Sequence, residues 1–144
     1  MAYRGKYRPE NLSKYVGDPD KITYRSLWER KFMLFCDNEP NVIEWASESV
    51  VVPYISPIDG KWHRYYVDFI VRMRESNGTI KTKLIEIKPK KQCKPPMKRK
   101  KVTRKYLTEV KRWGVNSAKW EYATQYAENR GWEFVIITED DLNV

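Results

Sequence analysis

Arg64-Tyr65-Tyr66-Val67-Asp68-Phe69-Ile70-Val71-Arg72-Met73-Arg74-Glu75, then Ser76-Asn77-Gly78, then Thr79-Ile80-Lys81-Thr82-Lys83-Leu84-Ile85-Glu86-Ile87-Lys88 is the stretch on which the fold turns. Two alternating runs around a turn signal read as a β-hairpin, and alternation sorts their residues onto two faces. Tyr65, Val67, Phe69, Val71 and Met73 form one apolar face, with Asp68 on the other. On the return, Glu86 and Lys88 point the same way and Ile85 and Ile87 the opposite way. A three-residue loop with Gly78 in the left-handed conformation pairs Glu75 with Thr79. That register sets Asp68 directly across from Glu86, with Cβ atoms roughly 5 Å apart and Lys88 on the same face. A two-residue Asn77-Gly78 loop would instead set Asp68 against Ile87. Two opposed carboxylates repel, and a divalent cation between them resolves the conflict; hard oxygen ligands suit Mg²⁺ or Mn²⁺.

Outward from the hairpin, residues 1–22 show no period and read as an N-terminal arm, and 23–144 as a single domain. A helix is expected from Tyr24 to Asn38, with Thr23 as N-cap and Asn38-Glu39-Pro40 as the stop. Strands are expected at Val42 to Ala46, Val50 to Ser56, Lys61 to Glu75 and Thr79 to Lys88, with Pro57-Ile58-Asp59-Gly60 as a further turn. A basic insertion occupies 89–105. A short helix follows at Arg104 to Trp113, then a clearer one from Ser117 to Arg130, with Trp120, Ala123, Thr124 and Ala127 in helical spacing and Gly131 as the stop. Trp132 to Thr138 is an apolar run suited to a buried strand. The order α, several β, α, β implies an α/β fold.

At 144 residues, with 41% hydrophobic and 14% aromatic residues, the chain has the material for one core. No apolar run approaches the roughly 18 residues of a membrane span, so no membrane partner is expected. The first residues lack the apolar stretch of a secretory signal. Cys36 and Cys93 are too few for a disulfide scaffold, which fits a reducing, cytoplasmic setting. Lys and Arg number 28 against 19 Asp and Glu, for a net charge of +9. The excess is local: Lys88, Lys90, Lys91, Lys94, Lys98, Arg99, Lys100, Lys101, Arg104 and Lys105 fall in one stretch without an acidic residue. Such a block favours a polyanion such as double-stranded DNA over a solvated loop without a partner. Lys and Arg contacts to phosphates carry no sequence information, and no base-reading helix or zinc module is evident.

Glu29 heads the apolar stripe of the first helix, followed by Phe32, Met33 and Cys36, so its charge requires a partner or a metal. The simpler alternative pairs it with Arg25 one turn back. His63 has no Cys or Asp at ligand spacing and reads as a surface or structural residue. Trp28, Trp120 and Trp132 fall where core residues are expected. Tyr65 and Tyr66 straddle both faces, one toward the core and the other toward substrate.

Asp68 in Tyr66-Val67-Asp68-Phe69, followed by Glu86-Ile87-Lys88, resembles the D…ExK signature of the PD-(D/E)xK nuclease superfamily, with Glu29 matching its additional acidic residue. Ser26-Leu27-Trp28-Glu29-Arg30, Asp59-Gly60-Lys61 and Glu86-Ile87-Lys88-Pro89-Lys90 are similar to the N-terminal endonuclease domain of the transposase subunit TnsA. The closing Gly131-Trp132-Glu133-Phe134-Val135-Ile136-Ile137-Thr138 fits the same pattern. At this size the chain also resembles the head completion nucleases of T4-like tailed phages. Val67 stands where proline names the motif, a position without a catalytic atom.

The resemblance implies a restriction-endonuclease-like αβββαβ core with a mixed central sheet flanked by helices. It also implies a DNA nuclease in which Asp68, Glu86 and the Ile87 carbonyl hold Mg²⁺ or Mn²⁺. Glu29 would join them directly or through water, and Lys88 would orient the attacking water. Phage head or portal proteins would be partners, in the host cytoplasm or the virion head. The rival expectation is a non-catalytic DNA-binding structural protein of a virion or transposition complex; a third is a restriction or repair endonuclease.

Overall fold

A computed structural model describes residues 3–143. In chain order the elements are β1 (Gly5–Lys6), β2 (Thr23–Tyr24), α1 (Leu27–Asn38), β3 (Val42–Ser47), β4 (Val51–Ile55), β5 (Trp62–Tyr66), β6 (Phe69–Arg74) and β7 (Ile80–Ile87). They are followed by α2 (Arg104–Glu128), β8 (Glu133–Ile137) and α3 (Glu139–Leu142). The central sheet has the order β3-β6-β7-β8; β6 runs antiparallel to β3 and β7, and β8 is parallel to β7. This is the mixed sheet of a restriction-endonuclease-like α/β fold. A parallel return needs a long crossover, and α2 supplies it.

The β6–β7 hairpin has the expected register. Phe69 faces Ile85 and Arg74 faces Ile80, the Glu75 N–H donates to the Thr79 carbonyl at 2.8 Å, and Gly78 closes the loop at φ +86°. Open space surrounds the position of a Cβ at Gly78, so the backbone conformation alone calls for glycine there.

Alternation along β6 and β7 feeds two cores on opposite faces of the sheet. Phe69, Val71, Ile85 and Ile87 pack with Phe32, Met33 and Cys36 of α1 and with Trp45. Leu84 packs with Ala123 and Ala127 of α2 and with Val52, Tyr54, Tyr65 and Val67 of the β4–β5 hairpin. The expected single strand from Lys61 to Glu75 is therefore two strands. β5 pairs with β4 in its own two-stranded sheet, and the chain breaks at Val67–Asp68 before β6 joins the central one. Tyr65 and Val67 lie in the core on the α2 side while Phe69, Val71 and Met73 lie on the α1 side, so the five do not share a face.

Three helix boundaries also differ from expectation. The cap of α1 is Ser26, whose Oγ accepts the Glu29 N–H at 3.2 Å, because Thr23 is held in β2 against Lys6. The two helices expected on either side of Gly114 are one continuous helix, α2. After β8, Thr138 and Asp141 form a capping box that starts α3, a short acidic helix not expected from the sequence. The N-terminal segment is largely irregular but docked. Buried Asp37 accepts the Tyr7 hydroxyl at 2.6 Å and the Glu10 and Asn11 N–H groups at 2.8 and 2.9 Å.

Candidate active site

The strand break delivers the first carboxylate. The Val67 N–H donates to the Val50 carbonyl at 3.1 Å, and the Glu48 N–H donates to the Asp68 carbonyl at 3.0 Å. The backbone is thus pinned on both sides of the step from β5 to β6. Glu48 makes its bond from a left-handed backbone, φ +50°, a conformation uncommon for a residue with a Cβ. The Asp68 side chain turns toward β7, and its Oδ2 accepts the Ile87 N–H at 2.8 Å. Continuing the β6–β7 register by one pair sets Asp68 level with Glu86.

Glu86 is buried, at 6% exposure. Its Oε2 accepts the Tyr65 hydroxyl, and its Oε1 lies 3.6 Å from Lys88 Nζ. Burial, followed by the Glu86 charge, pushes the Asp68 carboxyl well above the usual carboxylate range; the Ile87 N–H and Lys88 oppose the shift. Burial, followed by the Glu86 charge, likewise raises the Tyr65 hydroxyl, which therefore stays a donor. The hairpin thus gathers Asp68, Glu86 and Lys88 as expected.

Glu29 is half-buried at the start of α1, and its charge is felt at Asp68. Burial raises its carboxyl, with Glu48 adding to the shift. The side chain also lies 3.5 Å from Ser26 Oγ at the helix start. The expected Arg25–Glu29 pair does not form, because Glu48 has taken Arg25: Nε and Nη2 donate to the two Glu48 oxygens at 2.7 and 3.1 Å. Among the described residues no three Asp, Glu, His or Cys side chains converge on a closed cation site. The site is a pair set level across the hairpin, with Glu29 as a third carboxylate whose charge acts on Asp68 less strongly than that of Glu86.

Two contributors escaped the sequence reading. Tyr65, expected on the apolar face, reaches Glu86 because the break at Val67–Asp68 ends the alternation that would have separated them. Tyr66, its neighbour, is 51% exposed. Lys119 of α2 holds its Nζ 5.4 Å from the Tyr65 ring centre and 5.8 Å from that of Tyr54. Burial lowers its affinity for the proton; Glu86 and Asp68 act in the opposite sense. Its signal was available: Lys119 lies four residues before Ala123 and eight before Ala127, on the buried stripe of its helix. His63 lies outside this group, with Nε2 2.8 Å from Asp59 Oδ2 at the surface.

The basic block connects β7 to α2 as a segment that is irregular apart from a short 3-10 turn at Lys90–Gln92. Lys91, Lys94, Lys98, Arg99, Lys100, Lys101, Arg104 and Lys105 are exposed. Lys90 differs, because α3 compensates it: its Nζ lies 2.9 Å from Asp140 and its N–H donates to Glu139. The block and α2 enclose an open cleft of about 460 Å³ lined by Lys94, Arg99, Lys105, Met97 and Trp113. No helix among the described residues is long and apolar enough to cross a membrane.

A sequence profile described as the TnsA-like endonuclease N terminal matches residues 39–139. The chain belongs to this family. It is also 46% identical over 146 residues to the head completion nuclease of Enterobacteria phage T4, an alignment covering 99% of this chain and 95% of that one. Asp68, Glu86, Lys88 and Lys119 all lie inside the segment matched to the TnsA-like family, and Glu29 precedes it. The donor set fits a hard divalent cation: buried Glu86 and half-buried Asp68 destabilise one another, and among the described residues no hydrogen bond reaches Asp68 Oδ1. A site with few protein ligands suits Mg²⁺ in particular, which keeps several of its waters.

Proposed function

We propose that this chain is a metal-dependent DNA nuclease with little sequence preference. The observation that carries the reading is the pair formed by half-buried Asp68 and buried Glu86, set level across a hairpin with Lys88 on the same face. Asp68 and Glu86 would hold Mg²⁺ or Mn²⁺ with the Ile87 carbonyl, and Glu29 would act through water. When bound, the cation supplies charge neutralisation at the phosphate and acidifies a water molecule.

The chain's own groups prepare that chemistry. The Ile87 N–H fixes Asp68 Oδ2 and leaves Oδ1 toward the ligand. Tyr65 fixes Glu86 from the core side. Lys88 stands on the site face, where its ammonium orients the attacking water and steadies developing negative charge. The exposed lysines and arginines of 91–105 bind phosphates, which gives affinity without base reading. By analogy with the phage relative, we place the activity in head completion, before tail joining, with head or portal proteins as partners in the host cytoplasm or virion.

Purified protein incubated with supercoiled plasmid tests the reading. Nicking or linearisation in Mg²⁺ or Mn²⁺, abolished by chelator, is expected. Folded protein that binds the plasmid and leaves it intact in both metals would favour the DNA-binding structural role.

A further inference from the structure

Lys119 is the charged residue on the inward face of α2, between buried Asn116 and the buried Ala123 and Ala127. Ala123 and Ala127, which follow it on the same face of α2, have no exposure. Desolvating an ammonium is costly unless an anion or an aromatic face compensates. Two rings do so in part, since Nζ stands over both Tyr54 and Tyr65. The ion pairs of the site are Arg25–Glu48 and Lys88–Glu86, and Lys119 belongs to neither.

The local bonding engages Glu86 and one Asp68 oxygen but leaves the other Asp68 oxygen open, so it is the seat on the two rings that holds this cation off the carboxylates. Tyr65 occupies Glu86 Oε2 and Lys88 faces Oε1. The inner oxygen of Asp68 already accepts the Ile87 N–H. Lys119 is therefore held on an aromatic base, near enough for the charges of Glu86, Lys88 and Asp68 to act on it. A leucine or methionine would fill the same space without the desolvation cost, so the charge is explained by an anion that arrives from outside.

Resting on the nuclease reading, we propose that Lys119 is a second catalytic cation, contacting a non-bridging oxygen of the scissile phosphate, and that Tyr65 is the positioning residue that keeps Glu86 from capturing it. Its role is electrostatic, stabilising the charge that builds on the phosphorane-like transition state; it transfers no proton. The basic block binds phosphates along the DNA path, whereas Lys119 acts at the bond that breaks.

The test compares wild type, Lys119→Met and Lys119→Arg by single-turnover duplex cleavage in Mn²⁺ and by duplex binding in chelator across a salt series. Lys119→Met should slow cleavage at saturating DNA on the order of 10²-fold, the usual cost of one transition-state donor. In chelator its plot of log Kd against log salt should be shallower by about 0.9, the loss of one phosphate contact. Lys119→Arg, which keeps the charge, should recover most of the rate. A folded Lys119→Met protein with wild-type rate, or with an unchanged salt slope, overturns the proposal. If Lys119→Met does not fold, Lys119→Ala takes its place, and failure of both to fold would assign Lys119 to the core and overturn it as well. Wild-type protein that cuts nothing rejects the nuclease reading itself; wild type and variant cutting equally reject only the role of Lys119.

Discussion

Replacing Asp68 by asparagine should stabilise the metal-free protein at neutral pH. Two full charges at a spacing of about 5 Å would repel by roughly 3 kcal/mol at an effective dielectric constant of 20, and holding a proton on Asp68 to avoid that repulsion costs a few kcal/mol at neutral pH instead. Lys88, 3.6 Å from Glu86, cancels part of this, and asparagine keeps an oxygen for the Ile87 N–H. A net gain of about 1–2 kcal/mol remains, and at 2–4 °C per kcal/mol for a chain of this size Tm should rise by about 2–8 °C. The pH dependence has a definite sign. Because the folded Asp68 carboxyl is raised, the native state keeps a proton that the unfolded chain loses above about pH 4. Its contribution to stability therefore falls as pH rises from there through the folded value. Asparagine should flatten that decline. Mn²⁺ should reverse the ranking, since a ligand at about 100 times its Kd adds about 2.7 kcal/mol to the protein that binds it. Thermal unfolding by circular dichroism, in chelator and in Mn²⁺ across the acid-to-neutral range, reads all of this. A folded Asp68→Asn protein that melts at or below wild type in chelator at neutral pH would refute the repulsive pair.

Alanine at Lys98, Arg99, Lys100 and Lys101 should flatten the salt dependence of duplex binding. With about five phosphate contacts the wild-type slope should be on the order of −4 to −5, and an unchanged slope in filter binding would place the DNA path elsewhere. Glu29→Gln should impair Mn²⁺-supported cleavage while leaving the fold intact, as plasmid nicking and circular dichroism would show; full activity would return Glu29 to the helix start and Ser26. Asp37→Ala should cost about 3 kcal/mol by leaving the Tyr7, Glu10 and Asn11 donors unpaired, and should loosen the N-terminal segment enough for trypsin to cut after Arg4 and Lys6. Burial opposes the Asp37 charge, but these hydrogen bonds overcome it and hold the carboxyl below its usual range. The stability Asp37 gives is thus present above the ordinary carboxylate pKa and lost as pH falls through the folded value. An equally stable Asp37→Ala protein in thermal melts would contradict the clamp.

The hairpin was legible from alternation in both strands and from Gly78 where a three-residue loop needs a left-handed residue, while the choice between a two- and a three-residue loop was left to the structure, in which Glu75 pairs with Thr79. The three-residue register was enough to bring Asp68, Glu86 and Lys88 together. The break at Val67–Asp68 was not legible, since alternation continues through it and only the separate pairing of β5 with β4 reveals the change of sheet. Tyr65 was misplaced for that reason. Helical spacing offered Arg25 as the alternative partner of Glu29, whereas Glu48, distant in sequence, presents two oxygens to its guanidinium. The helices expected at Arg104 to Trp113 and from Ser117 are one, because the chain between them stays helical through Gly114, where a Cβ would meet only the Pro57 side chain, at 3.7 Å. Lys119 was visible as a lysine on the stripe of Ala123 and Ala127, the same kind of anomaly that singled out Glu29.

Cleavage by folded Asp68→Ala protein is the most direct test of a nuclease site at this hairpin. Its rate on supercoiled plasmid in Mn²⁺ should collapse relative to wild type, while duplex binding in chelator stays equal or tightens, because the substitution removes a negative charge from the face that meets phosphate. Lys88→Ala should lose cleavage too but bind slightly more weakly, so a shared folding defect would not reproduce the opposite signs. If folded Asp68→Ala protein cuts at the wild-type rate, the cleavage site is not at this hairpin.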